Sequence, residues 1–231
     1  MSESVTRGRY EICFAGQSCG EERFEVTRTP AGEVAVGEQQ TDAPFPFPSR
    51  QRYRAATDQD GRVVSLEIRW SVGDRLVHAK HGVDGALWRA EIDYQNHRRE
   101  QEGDYPTRCQ IAYGSHVLHT FMLRRLALAP GAEHEFPALL IGPPYMAVEP
   151  GHQHVRCTAA EMRESPNGPV TARRIEIFDP ARGPTEAFAM WIDEHDVVLE
   201  SYEGLQPIAP WMTLTELVRE QRAAGASSDP A

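Results

Sequence analysis

The feature that most constrains this chain is an alternation of apolar and polar residues that begins near its N-terminus and continues over most of its length. Tyr10, Ile12 and Phe14 alternate with polar neighbours, and Phe24 and Val26 do the same after a glycine-containing turn. A period of two residues places one set of side chains on each face of a strand. Glycine, proline, asparagine and aspartate separate these segments at short intervals, as hairpin turns require. The pattern predicts a meander of antiparallel strands with one solvent-exposed face.

Strand patterns recur on both sides of the proline-rich segment 44–48, whose two phenylalanines are expected to pack onto the sheet or to cover a cavity. The polar stretch 96–103 has no apolar alternation and is predicted to be an exposed loop. The further predicted strands cover residues 50–58, 63–70, 76–80, 86–94, 109–113, 135–141, 145–148, 154–162, 170–178, 186–192 and 197–202.

Two segments have helical spacing instead. Residues 115–128 repeat apolar side chains at helical intervals, with Ser115 as the N-cap and a Pro-Gly pair at 130–131 as the end. A second helix is predicted over residues 214–224, because Thr213 can cap it and Glu216 completes a capping box.

The expected fold is therefore mainly β. It is a large, curled antiparallel sheet, or half-barrel, with the central helix against its concave face and the second helix at the C-terminus. One domain is predicted over residues 1–224, followed by a frayed tail at 225–231.

Charge and hydropathy limit the partners. Acidic residues outnumber basic ones by 34 to 24, so the formal net charge is -10 and nucleic acid is not an expected partner. No segment has the roughly 20 consecutive apolar residues of a membrane-spanning helix. The first residues also lack the apolar core of a signal peptide, and none of the four cysteines forms a C-x-x-C pair. We therefore expect a cytoplasmic protein with reduced thiols and no membrane span.

Three short segments resemble uncharacterised bacterial proteins related to the lipoprotein-carrier (LolA/LolB) fold. They are GSHVLHTFMLRRLALAPG at 114–131, FAMWIDEHDVVLE at 188–200, and the opening hairpin around Gly8, Gly16 and Gly20. In that group a short helix with an arginine near its end leads to a new strand, and another strand ends in tryptophan before an aspartate turn. The resemblance implies a large antiparallel sheet that is half closed around helices and encloses an apolar hollow. Lipoprotein carriers use such a hollow for acyl chains.

Ionisable and phenolic groups near the central helix are the candidates for acid–base chemistry. His116 and His119 are three residues apart on the predicted helix and so point to similar sides. Histidine titrates near neutrality and can act as a general acid or base. If the protein is an enzyme, we expect its catalytic groups among these two residues and Asp93, Tyr94 and Tyr145.

Large apolar side chains are the candidates for a hydrophobic ligand site, although the same residues would also fill the core of a curled sheet. These predicted ligand-binding residues are Trp70, Trp88, Phe121, Met122, Tyr145, Met146 and Trp191.

A metal or cofactor site is not expected. His152 and His154 share a face if they lie on a strand, but no third ligand accompanies them, and whether the pair holds a metal stays open. The chain contains no nucleophile-elbow, phosphate-loop or dinucleotide-binding motif.

Three functions remain open from the sequence. The first is the binding of a hydrophobic or amphipathic small molecule in an apolar hollow between the sheet and the helix. The second is a cofactor-independent cyclase or isomerase that acts on a hydrophobic metabolite. The third is an interaction module without a small ligand, for which a homodimer through exposed sheet edges is expected.

Overall fold

The computed structural model describes residues 3–181, 187–203 and 211–222 of the chain. Its N-terminal half consists of strands β1 (Glu3–Phe14), β2 (Gln17–Thr29), β3 (Gly32–Thr41), β4 (Ser49–Thr57), β5 (Val63–Val72), β6 (Arg75–Asp84), β7 (Leu87–Tyr94) and β8 (His97–Asp104). Its C-terminal half consists of β9 (Gln110–Tyr113), the helix α1 (His116–Leu126), β10 (Glu133–Gly142), β11 (Ala147–Arg163), β12 (Val170–Phe178), β13 (Phe188–Ile192), β14 (Val198–Glu203) and β15 (Met212–Arg222).

These strands form one sheet in the order β8-β7-β6-β5-β4-β3-β2-β1-β15-β14-β13-β12-β11-β10-β9. Every neighbour in the sheet is also a neighbour in the chain, except that β1 pairs with β15. The pairs are antiparallel apart from β9 and β10, which are parallel and are connected through α1. The prediction of a mainly β fold built on a large antiparallel sheet is confirmed.

The sheet curls but does not close. The side-chain amide of Gln101 on β8 donates to the carbonyl of Val148 on β11 at 3.5 Å, and the Val148 N–H donates back to Oε1 of Gln101 at 3.1 Å. These strands lie near opposite ends of the strand order, so the two ends of the sheet meet through a side chain rather than through a backbone ladder. A sheet this long must curl or split into layers, and here it curls.

Helix α1 packs into the core that the inward-facing strand residues form. Ser115 is its N-cap, with Oγ accepting from the Val117 N–H at 3.2 Å. The helix ends at Leu126, and Ala127 follows in the left-handed conformation with φ 47°. Its buried apolar side chains share one core cluster with strand residues such as Tyr10. The central helix predicted over 115–128 is confirmed.

The predicted C-terminal helix is wrong, because these residues form β15 in the middle of the sheet. Tyr10 pairs with Leu214 and Arg9 pairs with Glu216, so Thr215 is an extra residue in a β-bulge. The bulge lets Leu214 and Leu217 both face the core although they are three residues apart. Two apolar residues at this spacing also match one face of a helix, which explains the wrong prediction. Thr213, the expected N-cap, pairs with β14 instead. Residues 223–224 lie outside the described residues.

The stretch 96–103 is also not a loop. Most of it belongs to β8, an edge strand with mostly exposed side chains that pairs with β7 along its whole length. It lacks apolar alternation because it buries little on either face, as is common for protected edge strands. The predicted tail at 225–231 lies outside the described residues. No helix in the described ranges is long and apolar enough to cross a membrane.

Lysine substitutions at two adjacent positions test the assignment of β15. A helix would place both Leu217 and Val218 on the apolar face with Leu214, whereas the strand buries Leu217 and leaves Val218 52% exposed. We expect Leu217→Lys to lower the free energy of unfolding by at least about 3 kcal/mol, because it buries a charge. Val218→Lys should change it by less than about 0.5 kcal/mol. Urea denaturation measures both, and equal losses would contradict the strand.

Candidate functional site

The two cavities of interest lie at one end of the curled sheet. Because neighbouring strands are antiparallel, successive hairpin turns lie alternately at its two ends. One end, here named the upper rim, carries the turns at 15–16, 73–74, 95–96 and 143–146 and the loop 42–48. Helix α1 begins next to this rim, because β9 and β10 both run toward it.

The first cavity, named the aromatic groove, has a volume of about 460 Å³. Trp70 on β5 and Tyr94 on β7 continue the inward-facing rows of their strands out to the upper rim. Phe47, which is 70% exposed, covers the groove from the proline-rich loop. The side chains and prolines that define the groove are Phe45, Phe47, Trp70, Tyr94, Pro143 and Pro144.

Few polar groups accompany these aromatic side chains. Ser49 and Arg75 also line the groove. Arg75 has no ion-pair partner within the part of the chain that the structure describes. Tyr145 stands at the edge, where its ring meets that of Tyr94 edge-to-face with centroids 5.1 Å apart. The groove therefore offers an apolar, aromatic wall and one positive charge.

The second cavity, named the histidine cavity, has a volume of about 380 Å³ and lies between the start of α1 and the strands β10 to β13. The ring centroids of His116 and His119 are 5.9 Å apart, and His119 stacks on Phe188 at 5.7 Å. The lining residues that matter most are His116, His119, His152, Gln153, Phe188 and Trp211.

Both helical histidines are held in the neutral form. Burial lowers the pKa of His119 to about 4. Burial, and then the neighbouring His119, lower the pKa of His116 well below its ordinary value. Nε2 of His116 lies 2.7 Å from Oγ of Ser201. The Nδ1 atoms of both rings and Oε1 of Gln153 are buried without a hydrogen-bond partner among the described residues.

A buried carboxyl group fixes the start of α1 to the sheet. Glu22 on β2 is fully buried and accepts hydrogen bonds from Tyr53 at 2.6 Å and from Ser115 at 2.7 Å. Burial raises the pKa of Glu22 to about 7, although the two hydroxyl hydrogen bonds act in the opposite direction. Gly37 makes room for this contact, because a Cβ there would lie 2.2 Å from the Tyr53 ring.

The predicted catalytic residues do not form one site. His116 and His119 come together at the histidine cavity, whereas Tyr94 and Tyr145 meet at the aromatic groove. Asp93 is exposed, and its position between inward-facing neighbours on β7 places it on the outer face. The alternation of β7 therefore separates Asp93 from both cavities.

The predicted ligand-binding residues also divide. Trp70 and Tyr145 are at the groove. Trp191 is buried but lines neither cavity; the Arg163 guanidinium lies 4.0 Å from its ring centroid, and Glu161 accepts from its Nε1 at 2.5 Å. The remaining predicted residues are buried in the packed core: Trp88, Phe121, Met122 and Met146.

Several residues of these sites are not among the sequence predictions, and they include Arg75, Gln153 and Glu22. Glu22 has the same strand parity as Phe24, which is apolar and buried, so alternation alone could have identified it as an inward-facing carboxyl group. No comparable signal pointed to Phe188 or Trp211, because their place beside α1 depends on the curl of the sheet.

The two histidines His152 and His154 have different surroundings. His152 lines the histidine cavity, whereas His154 stacks on Phe178 and lies 3.3 Å from Glu133. Within the described ranges, no group of three or more histidine, cysteine, aspartate or glutamate side chains is placed to hold a metal ion.

Comparison with solved structures identifies the architecture. A DUF1089-family protein from Pseudomonas aeruginosa superposes with a TM-score of 0.56 at 19% identity, over 85% of this chain and 95% of its own. A β-barrel-like protein with the domain of unknown function DUF1849, from Brucella abortus, superposes with a TM-score of 0.57 at 10% identity, over 96% of this chain and 98% of its own. The chain has a β-barrel-like fold. No family model and no curated protein matches its sequence.

Replacing Glu22 with glutamine should remove a pH dependence of stability. The pKa of Glu22 is about 7 in the folded state and 4.5 ordinarily, so the folded state keeps this proton up to a higher pH than the unfolded state does. The contribution of Glu22 to the free energy of unfolding is therefore fully present below pH 4.5 and is lost as the pH rises through about 7. We expect the unfolding free energy of the wild type, minus that of Glu22→Gln, to fall by roughly 3 kcal/mol between acid and mildly alkaline pH.

Urea denaturation across this pH range measures the difference, in which the opposing effect of the histidines cancels. The matched control is Glu21→Gln, because Glu21 faces outward and pairs with arginines on the surface. A difference that stays constant with pH would contradict a protonated Glu22.

Proposed function

We propose that this protein binds a hydrophobic or amphipathic small molecule in the aromatic groove. The observation that carries the proposal is the exposure of large apolar side chains around an open cavity, above all Phe47 at 70%. Large contiguous patches of exposed apolar surface are uncommon in proteins and usually mark a site where a ligand or a partner binds. Ligand pockets combine such a wall with a few polar groups that fix orientation, as Arg75 and Ser49 would here.

The groove is a better place for this ligand than the centre of the hollow. Side chains of α1 such as Leu118 and Phe121 fill the centre of the hollow and are almost wholly buried. Space for a ligand is therefore left at the rim of the concave face. The inward-facing rows that end at Trp70 and Tyr94 supply that open part. We therefore propose that the ligand binds at the upper rim and not in the centre between the sheet and the helix, where the sequence analysis expected it.

The charge of Arg75 suggests the chemistry of the ligand. A guanidinium group that has no ion-pair partner among the described residues, next to an apolar wall, suits an aliphatic or aromatic body that ends in an anionic group. The resemblance of three short segments to lipoprotein carriers, which hold acyl chains, supports the same class. The four free cysteines suit a reducing compartment, so the proposal retains the cytoplasm as the location.

Decanoate and decan-1-ol separate the roles of the groove and its charge. Both should displace 1-anilinonaphthalene-8-sulfonate from the protein in a fluorescence titration. Arg75→Gln should weaken decanoate about tenfold and leave decan-1-ol unchanged, because only decanoate carries the charge. The control is Arg89→Gln, since Arg89 is an exposed arginine on β7 outside the groove.

Truncating the exposed phenylalanine tests the apolar wall. Phe47→Ala should weaken both probes roughly tenfold without lowering stability, because Phe47 is mostly exposed. Leu76→Ala is the matched control, since Leu76 is 59% exposed and lies outside the groove. Failure of both probes to bind, or equal effects of the two substitutions, would overturn the proposal. A concentration-dependent dimer in light scattering that Phe47→Ala dissolves would point to a second copy in the groove instead.

A further inference from the structure

We propose that the histidine cavity is a second binding site, separate from the aromatic groove, for an uncharged planar small molecule that carries a hydrogen-bond donor. The cavity measures about 380 Å³ and shares no lining residue with the groove. It is the place where α1 and β11 both present polar side chains to the same space: His116 and His119 from the helix and Gln153 from the strand.

The polar atoms of this cavity lack the partners that buried groups normally have. Nδ1 of His116, Nδ1 of His119 and Oε1 of Gln153 are buried, and none has a hydrogen-bond partner among the described residues. Most buried polar atoms in native proteins are bonded, since an unmade bond costs free energy. All three atoms belong to residues that line this one cavity, and a ligand there would supply the missing partners.

The donor and acceptor roles of these atoms determine which hydrogen-bonding groups the ligand must have. Oε1 of Gln153 is an acceptor only, so its partner must supply an O–H or N–H group. Nε2 of His116 lies 2.7 Å from Oγ of Ser201, so Nδ1 is the ring nitrogen that still lacks a partner among the described residues. A neutral imidazole offers one donor and one acceptor, which suits a phenol, an aromatic alcohol or an aromatic amide.

The shape and charge of the wall select a planar, neutral body. Phe188 stacks on His119 with an interplanar angle of 25°, and Trp211 meets Phe188 edge-to-face with centroids 5.9 Å apart. Such faces accept a flat ring. No lysine or arginine is among the described residues that line this cavity, so nothing there attracts an anion, in contrast to the arginine of the groove.

Fluorescent 2-naphthol, compared with naphthalene, tests the donor requirement. We expect 2-naphthol to bind with a stoichiometry of one and naphthalene to bind at least about tenfold more weakly, because it lacks the hydroxyl group. In the ¹⁵N-labelled protein, the imidazole nitrogens of His116 and His119 should shift on titration, whereas those of exposed His97 should not.

Two variants and two controls decide whether binding occurs in this cavity. His119→Phe keeps a ring against Phe188, and Gln153→Leu keeps the volume, but each removes one unpartnered polar atom. Each should weaken 2-naphthol binding about tenfold, while Gln153→Leu leaves thermal stability unchanged or raised. The control His97→Phe should bind like the wild type, as should Phe47→Ala in the groove.

The proposal is overturned if 2-naphthol does not bind, or if it binds equally after His119→Phe and Gln153→Leu. It is also overturned if Gln153→Leu destabilises the unliganded protein, since Gln153 would then have a structural partner such as an ordered water. Loss of 2-naphthol binding in Phe47→Ala alone would assign the probe to the groove. That result would leave the function proposed for the groove standing.

Discussion

The pairing of β1 with β15 is the interaction on which the rest of this structure depends. It joins the two ends of the described chain along ten residue pairs in the middle of the sheet. All other neighbours in the sheet follow chain order, so this one long-range pairing turns two separate meanders into a continuous surface. The free edges are thereby moved to β8 and β9, which the curl of the sheet brings toward the same side.

A curled sheet must then fill its concave face, and one helix of 11 residues fills only part of it. The position of α1 is set at its start, where the buried carboxyl group of Glu22 bridges Tyr53 and the N-cap Ser115. From its start toward its C-terminal end, the helix packs against inward-facing strand residues and fills the core there. Above it the strands extend past the helix, and both cavities occupy the space that remains.

Much of the fold was predictable because it rests on local patterns. Alternation identified most strands, and the apolar spacing after Ser115 identified the helix. The sequence could not show β15, because the bulge at Thr215 breaks the period of two and gives Leu214 and Leu217 a helical spacing. Of the site, the pair of histidines was predictable from helical periodicity. Its partners Phe188 and Trp211 were not, because the curl of the sheet brings them there.

The division of the upper rim into two chemically different cavities follows from where the charges lie. On the side of β5 to β7, the inward rows end in aromatic residues, and Arg75 adds a positive charge among them. On the side of α1 and β11, burial keeps both histidines neutral, and the described lining residues include no lysine or arginine. An anionic amphiphile is therefore favoured by the first cavity and not by the second. One rim can in this way hold two different ligands, because the positive charge of the groove favours an anionic ligand and the histidine cavity favours an uncharged one.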